Sequence, residues 1–361
     1  MTSQKERRPK IVKTKLNRSQ LSNNDYLRDL DTYDNYIALD WSQVNMAIAR
    51  MTKNSKEPKV IDVPSSIEEL KIYLKNLHGS RILTIEETNT THWLYVELKE
   101  YAERIVICDP YRNRLLSDGP KSDKIDAGKL CKLLRAGLLK EVFHSLNKTY
   151  DLRKLVSAYD DLIKAGVRLQ NQKSAIYRSE GKNYKTEENI DNDMISFILK
   201  QINEGIEDYE RKKEEFEKVI VKESKKDKLI ENQMLIPGIA EKGAIKIIAT
   251  VINGNRFRNS GKYLSYCGLV KHKKISGNRN YGNKNPRYSR RTKSVYKIAA
   301  NSAIGGNNPI NEYYEYLLTK RGLSEDKARN QIARYIARIS YGMLKNGEKY
   351  DTYRWRKHKT T

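Results

Sequence analysis

The chain has 361 residues, room for more than one hydrophobic core, and carries 70 Lys and Arg against 45 Asp and Glu, a formal net charge of +25 at pH 7. That balance points to a polyanionic partner. No apolar run approaches the ~20 residues that span a bilayer and no signal-peptide pattern opens the sequence, so nucleic acid is favoured over a membrane and a cytoplasmic location is expected. Cys108, Cys131 and Cys267 are widely spaced in apolar contexts, and the five histidines are scattered. Buried thiols are expected, without a disulfide frame, a zinc cluster or imidazole chemistry.

In chain order, residues 1–35 are polar and basic and read as a flexible arm. "YIALDW" and "VNMAIARM" read as two strands around a turn at Ser42-Gln43, and "KVIDVP" as a third. "SIEELKIYLKNLHG" has helical spacing, a Ser66 cap and a Gly79 stop. A strand "RILTIEE", a helix "THWLYVELKEYAE", a strand "RIVICDP" and a helix from "KSDKIDAGKL" follow. Three strands and then alternating helix and strand imply a mixed sheet flanked by helices over 36–142.

From about Phe143 the pattern turns to long helix, with apolar residues at three- and four-residue steps through "LRKLVSAYDDLIKAGVRLQNQKSAIY" and from "MISFILK" to "KLIENQ". An antiparallel helical hairpin or coiled coil over 143–233 is expected, serving as spacer or oligomerisation stalk. "MLIPGIAEKGAIKIIATVI" then places an apolar turn, Pro237-Gly238, before another helix, which suits a helix-hairpin-helix or a plain helix break. This opens the last region, 234–361. From Lys242 through Asn311 there is not one acidic residue.

Asp123 and Asp126, in "KSDKIDAGKL", lie three apart on one helix face, where like charges repel. One reading is helix-start chemistry: Gly119-Pro120 breaks the chain, Ser122 caps, and acids suit the N-terminal dipole. The other includes Asp40, closing "YIALD", and Glu86, closing "ILTIE", each after an apolar run where a sheet delivers side chains to one edge. Four convergent carboxylates need cations between them, and oxygen-only ligands select Mg²⁺ or Mn²⁺. Two such ions would clamp the attacking and leaving oxygens of a phosphodiester.

A second candidate stretch runs from Tyr266 to Lys293, "YCGLVKHKKISGNRNYGNKNPRYSRRTK". Lys271, Lys273, Lys274, Arg279, Lys284, Arg287, Arg290 and Arg291 would neutralise phosphates, and Tyr281 and Tyr288 would stack on unpaired bases. Ser276-Gly277 lies inside this loop. By residue type it is a turn serine; as a nucleophile it would need a metal or a base, and His272 is the one histidine spaced to help.

These pieces occur in a recognisable order: "ALDWS" around Asp40, "EET" at Glu86, "CDP", "KSDKIDA" at Lys121, "LIPGI", "RFRNSGKYLSYCGLV" at Arg256, "SG" at Ser276, and closing helices from "YYEYLLTKRG". From about Tyr36 the chain resembles the DEDD transposases of the insertion-sequence 110 family, also called bridge-RNA-guided or serine-dependent recombinases. The resemblance implies an α/β plus α architecture: a ribonuclease-H-like (RuvC-like) mixed sheet with helices, a coiled-coil stalk, and a mostly helical transposase domain. It implies Asp40, Glu86, Asp123 and Asp126 as catalytic, metal-binding acids for Mg²⁺ or Mn²⁺. It also implies Ser276 as the hydroxyl that attacks DNA and forms a phosphoserine link. Donor and target DNA, a structured non-coding guide RNA and further copies of the chain, as dimer or tetramer, are the implied partners. Two departures stand out. Asn89 takes the place of the family's usual glycine after Glu-x-Thr, and the basic motif between Ser276 and Ala299 is poorly kept, leaving Ser265 and Ser289 as further candidate nucleophiles.

Three functions fit the residues: a recombinase or invertase attacking through serine, a metal-dependent junction nuclease using water, and a non-catalytic nucleic-acid-binding protein. The acid-free segment with its serine loop favours the first.

Overall fold

The structure, a computed structural model, describes residues 32–110, 122–144 and 149–357. Most of the expected basic arm and the Gly119-Pro120 break lie outside them. The chain divides into two compact units, 1–146 and 147–361.

The first unit is built on β1 (Asn35–Trp41), β2 (Asn45–Thr52), β3 (Lys59–Pro64), β4 (Arg81–Glu86) and β5 (Arg104–Cys108) in the order β3-β2-β1-β4-β5. β1 pairs antiparallel with β2 and parallel with β4, and β4 pairs parallel with β5. Strand side chains alternate between faces, so an apolar run can fill two cores at once. Tyr36, Ala38, Ala47, Ile82 and Val106 bury against α3 (Asp123–Arg135). Ile37, Leu39, Ile48, Leu83 and Ile85 bury with Leu70 and Leu74 of α1 (Ile67–Lys75) and Leu94 and Leu98 of α2 (Thr91–Leu98).

Helix starts follow their caps: Glu69 N donates to Ser66 Oγ at 3.3 Å, and Ile125 N to Ser122 Oγ at 3.3 Å. α2 stops five residues earlier than its periodicity suggests, because Tyr101 N turns back to Leu98 O and Glu103 N donates to Arg81 O at 3.0 Å, handing the chain to the sheet.

The second unit begins with α4 (Thr149–Ser179) and α5 (Asp193–Ser224), an antiparallel pair. Gly166 gives room to the Tyr209 ring, Gly205 meets Leu169, and Tyr159 Oη donates to Glu217 at 2.6 Å. The second long helix, expected to continue to Gln233, breaks after Ser224. Asp227 accepts Leu229 N at 2.8 Å and restarts the chain as α6 (Lys228–Met234).

α7 (Glu241–Val251), α8 (Ser260–Tyr266), α9 (Arg290–Ile304), α10 (Pro309–Thr319), α11 (Glu325–Asn346) and α12 (Arg354–Lys357) follow, with a hairpin of β6 (His272–Ser276) and β7 (Arg279–Lys284) between α8 and α9. Val156, Ile220, Ile245, Ile248, Ala299, Ala333 and Ile336 share one core, so the feet of the α4–α5 pair belong to the same packed unit as α7, α9 and α11. A buried polar chain crosses it: Tyr263 to Tyr296, Tyr296 Oη to Ser340 Oγ at 2.8 Å, and Ser340 Oγ to Gln233 Oε1 at 2.6 Å. Gly238, between α6 and α7, has φ +88°, and a Cβ there would strike the Ala299 carbonyl oxygen. Its turn therefore serves close packing on α9. Among the described residues no helix is long and apolar enough to cross a membrane.

Candidate active site

Strand parity places the first two acids. Residues 36 and 38 of β1 and 82 of β4 face α3, so Asp40 and Glu86 belong to that same face. The two strands run parallel with Leu39 opposite Ile85, one step before the acids. α3 runs back along this face. Cys131 Sγ donates to Tyr36 O at 3.2 Å near the start of β1. The first turn of α3 lies eight residues earlier, about 12 Å along the helix axis, which matches the four-residue span from Tyr36 to Asp40. Asp123 and Asp126 sit in that turn, beside the buried stripe Ala127, Leu130, Cys131 and Leu134.

Asp40 and Glu86 feel the neighbouring acids. Burial first, and then the charges of Asp123, Glu86 and Asp126, push the Asp40 carboxyl up to about 6. Burial and then Asp126 raise Glu86. Asp126 Oδ1 is buried and has no hydrogen bond, and the neighbouring Lys124 reaches Asp62 at 3.7 Å instead. Among the described residues no hydrogen bond or ion pair to a cation engages any of the four carboxylates. Nor are any three His, Cys, Asp or Glu side chains among those residues gathered into a metal-binding group. The donor set fits a divalent cation: all oxygen, mutually repelling, with an orphaned buried oxygen and a positive helix end beside it.

The turn after Glu86 is fixed by a threonine whose role the sequence reading missed. Thr91 Oγ1 donates to Glu86 O at 2.9 Å and accepts Thr88 N at 2.6 Å. Thr91 is buried. Asn89 is outside the left-handed region, so this turn does not require glycine there.

Two family models match. One, of DEDD transposases of the IS110 type, matches residues 37–179, and the other, described as the transposase IS116/IS110/IS902 family, matches residues 231–315. The chain belongs to the IS110 family of DEDD transposases. The two matches together span more than half of it. No curated protein matches the chain. As an IS110-family transposase it acts on DNA, cutting and rejoining it, and the family's acid set uses a divalent metal.

In this transposase Ser276 ends β6, paired with Arg279. Gly277 at φ 51° and Asn278 at φ 61° form the two-residue turn, so the segment expected as a loop is a hairpin of the type I′ kind. The whole hairpin is exposed, and Ser276 Oγ makes no hydrogen bond among the described residues. Lys271, Lys273, Lys274, Arg279 and Lys284 line it, also exposed, as do Arg287 and Arg290 further on. Tyr281 is 63% exposed, free to stack.

Two expected nucleic-acid contacts, both half-buried, also have partners within the protein. Tyr288 packs against Gly268, with Lys293 Nζ 4.4 Å from its ring centroid. Arg291 Nε donates to Asp160 Oδ2 at 2.7 Å, and Lys246 reaches Oδ1 at 2.7 Å. Burial raises the Asp160 carboxyl, but these two cations outweigh it and hold the group below its ordinary range.

The other serines are engaged as well. Ser289 Oγ caps α9 by accepting Thr292 N at 3.3 Å. Ser265 Oγ lies 3.0 Å from His272 Nε2, so the histidine spaced to help Ser276 is instead hydrogen-bonded to a serine of α8.

Proposed function

We propose that this transposase moves its element through a phosphoserine intermediate, with Asp40, Glu86, Asp123 and Asp126 holding a pair of Mg²⁺ ions and Ser276 supplying the attacking hydroxyl. Bound there, the ions would favour loss of the hydroxyl proton and neutralise the leaving oxygen. Mn²⁺ would serve in place of Mg²⁺.

Ser276 Oγ attacks phosphorus. A P–Oγ bond forms as the P–O bond to the leaving strand breaks, the serine proton passes to solvent, and the released sugar oxygen takes up a proton. The ester conserves the energy of the broken linkage, so a new strand's hydroxyl can reverse the step without ATP. The observation that carries this reading is the raised Asp40 carboxyl, on which Asp123, Glu86 and Asp126 all act, together with the unpaired buried Oδ1 of Asp126. Ser276 is favoured over Ser289, whose hydroxyl is spent as a cap, and over the half-buried Ser265 by its exposed place on the cationic hairpin.

Ser276 would come from the same or another protomer of a homo-oligomer, dimer or tetramer. The acid-free stretch from Lys242 to Asn311 and the exposed cationic hairpin support binding of both DNA and a structured guide RNA.

A nicked suicide DNA substrate with Mg²⁺ tests the chemistry. The parent protein should form a detergent-resistant adduct with phosphoserine at Ser276, and Ser276→Ala should lose it while still binding DNA. Cleavage by Ser276→Ala at the parent rate would make water the nucleophile, as in a junction nuclease. Ribonuclease-treated protein should regain site-specific activity when the element's flanking non-coding RNA is added, and indifference to that RNA would refute guidance.

A further inference from the structure

A cavity of about 480 Å³ opens in the second unit between the start of α8, α10, the second half of α11 and α12. One wall is aromatic. Tyr313 lies 5.3 Å from Trp355 with planes at 26°, and 5.0 Å from Tyr335. The lining is also cationic. Arg258 and Arg338 are exposed and have no acidic partner among the described residues. Glu348, the one carboxylate among the lining residues, is already paired with Arg354 at 2.6 Å.

Behind Arg338, one helical turn earlier, Arg334 is half-buried and its Nε is buried with no hydrogen bond. Burial and then the Arg338 charge pull this guanidinium below the ordinary arginine range. Two crowded guanidiniums one turn apart on α11, neither with an ion pair among the described residues, are unfavourable until an anion joins them.

We propose that this cavity receives one unpaired nucleotide of a nucleic-acid strand, with its base on the Tyr313–Trp355 wall and its phosphate between Arg258 and Arg338. A base needs a π surface and a phosphate needs planar, forked cations, and both are here within one enclosure. The volume falls within the ~300–1,000 Å³ of small-molecule sites and is too small for a paired duplex. A phosphopeptide would use the cations but not the ring wall. Asn259, whose Oδ1 already caps α8 by accepting Lys262 N at 3.0 Å, and Ser260 also line the cavity. The site is separate from the carboxylates and from the serine hairpin, and the inference does not depend on which hydroxyl attacks DNA.

Photocrosslinking of the full-length protein tests it. Single-stranded oligonucleotides carrying one 5-bromouracil would be irradiated in complex and the adduct mapped by mass spectrometry, with oligoribonucleotide and oligodeoxyribonucleotide arms to show which strand the site takes. Crosslinks to Tyr313, Tyr335 or Trp355 are expected, with none from the same base in a fully paired duplex. Arg338→Glu, an exposed position whose folding is checked by an unchanged melting temperature, should reduce the crosslink at least tenfold, and Arg258→Glu likewise. Lys273→Glu on the hairpin should weaken overall affinity without moving the crosslink. Crosslinks only outside the cavity, equal crosslinking from duplex, or full crosslinking by Arg338→Glu would each overturn the proposal. Binding of inorganic phosphate alone, with no base captured, would reduce the cavity to an anion site and overturn it too.

Discussion

Asp40, the penultimate residue of β1, and Glu86, the last of β4, lie on adjacent parallel strands, each one residue beyond the paired Leu39 and Ile85, on the face that α3 covers. Two carboxylates so placed, with Asp123 and Asp126 arriving from the helix above, have no cation among the described residues to offset them. The fold carries this repulsion because the apolar runs behind each acid bury on both sheet faces.

In EDTA the repulsion should appear as a pH dependence of stability. Burial and the neighbouring acids push the folded Asp40 carboxyl up to about 6, above the usual carboxylate range. Its contribution is therefore fully present below the unfolded value and is lost as pH rises through about 6. Between pH 5 and pH 7.5 the metal-free parent should lose on the order of 1 kcal/mol relative to Asp40→Asn, after allowance for solvent screening. Differential melting of the two proteins checks this, and parallel curves would contradict it.

Gly238→Ala should cost roughly 2–3 kcal/mol, since its φ of +88° and the Ala299 carbonyl both oppose a side chain. Gly243→Ala, inside α7 and with ordinary 3.5 Å contacts to Ile239 and Val295, should be neutral or stabilising by up to about 1 kcal/mol. Chemical denaturation of the two variants compares them directly.

Arg291 and Lys273 should separate into structural and binding roles. Arg291→Gln leaves Asp160 with only Lys246 and should lower the melting temperature. Lys273→Ala, on the exposed hairpin, should leave melting unchanged, weaken nucleic-acid binding, and reduce the salt slope by about one. Salt titrations of affinity beside thermal melts give both readouts.

All three thiols should resist labelling in the native state. Cys108, Cys131 and Cys267 are fully buried, and burial pushes the Cys131 and Cys267 thiols up to about 12. A thiol reagent should modify none of them until denaturant is added, and then three per chain. Fast native labelling of one would place it at the surface.

Much of the first unit is legible in the sequence because its signals are local. "YIALD" and "ILTIE" are apolar runs closed by an acid, and Ser66 and Ser122 cap the helices that their positions suggest. What was not legible depends on distant partners. The break between α5 and α6 hides in continuous helix-forming charge, with Asp227 as a single capping signal. The β6–β7 hairpin lacks alternating apolar residues, so its Gly277-Asn278 turn read as a loop. Arg291 looked like a phosphate contact because Asp160 lies 131 residues away. The contact of Ser265 with His272, and the role of Thr91, needed a folded chain to appear.

Manganese titration followed by electron paramagnetic resonance tests the central claim most directly. The parent protein should bind up to two Mn²⁺ per chain in competition with Mg²⁺, and Asp40→Asn and Asp126→Asn should each weaken that binding at least tenfold while remaining folded. Parent-like Mn²⁺ binding by both variants would contradict the account, because the four acids would then hold no metal and Asp123 and Asp126 would be helix-start residues alone.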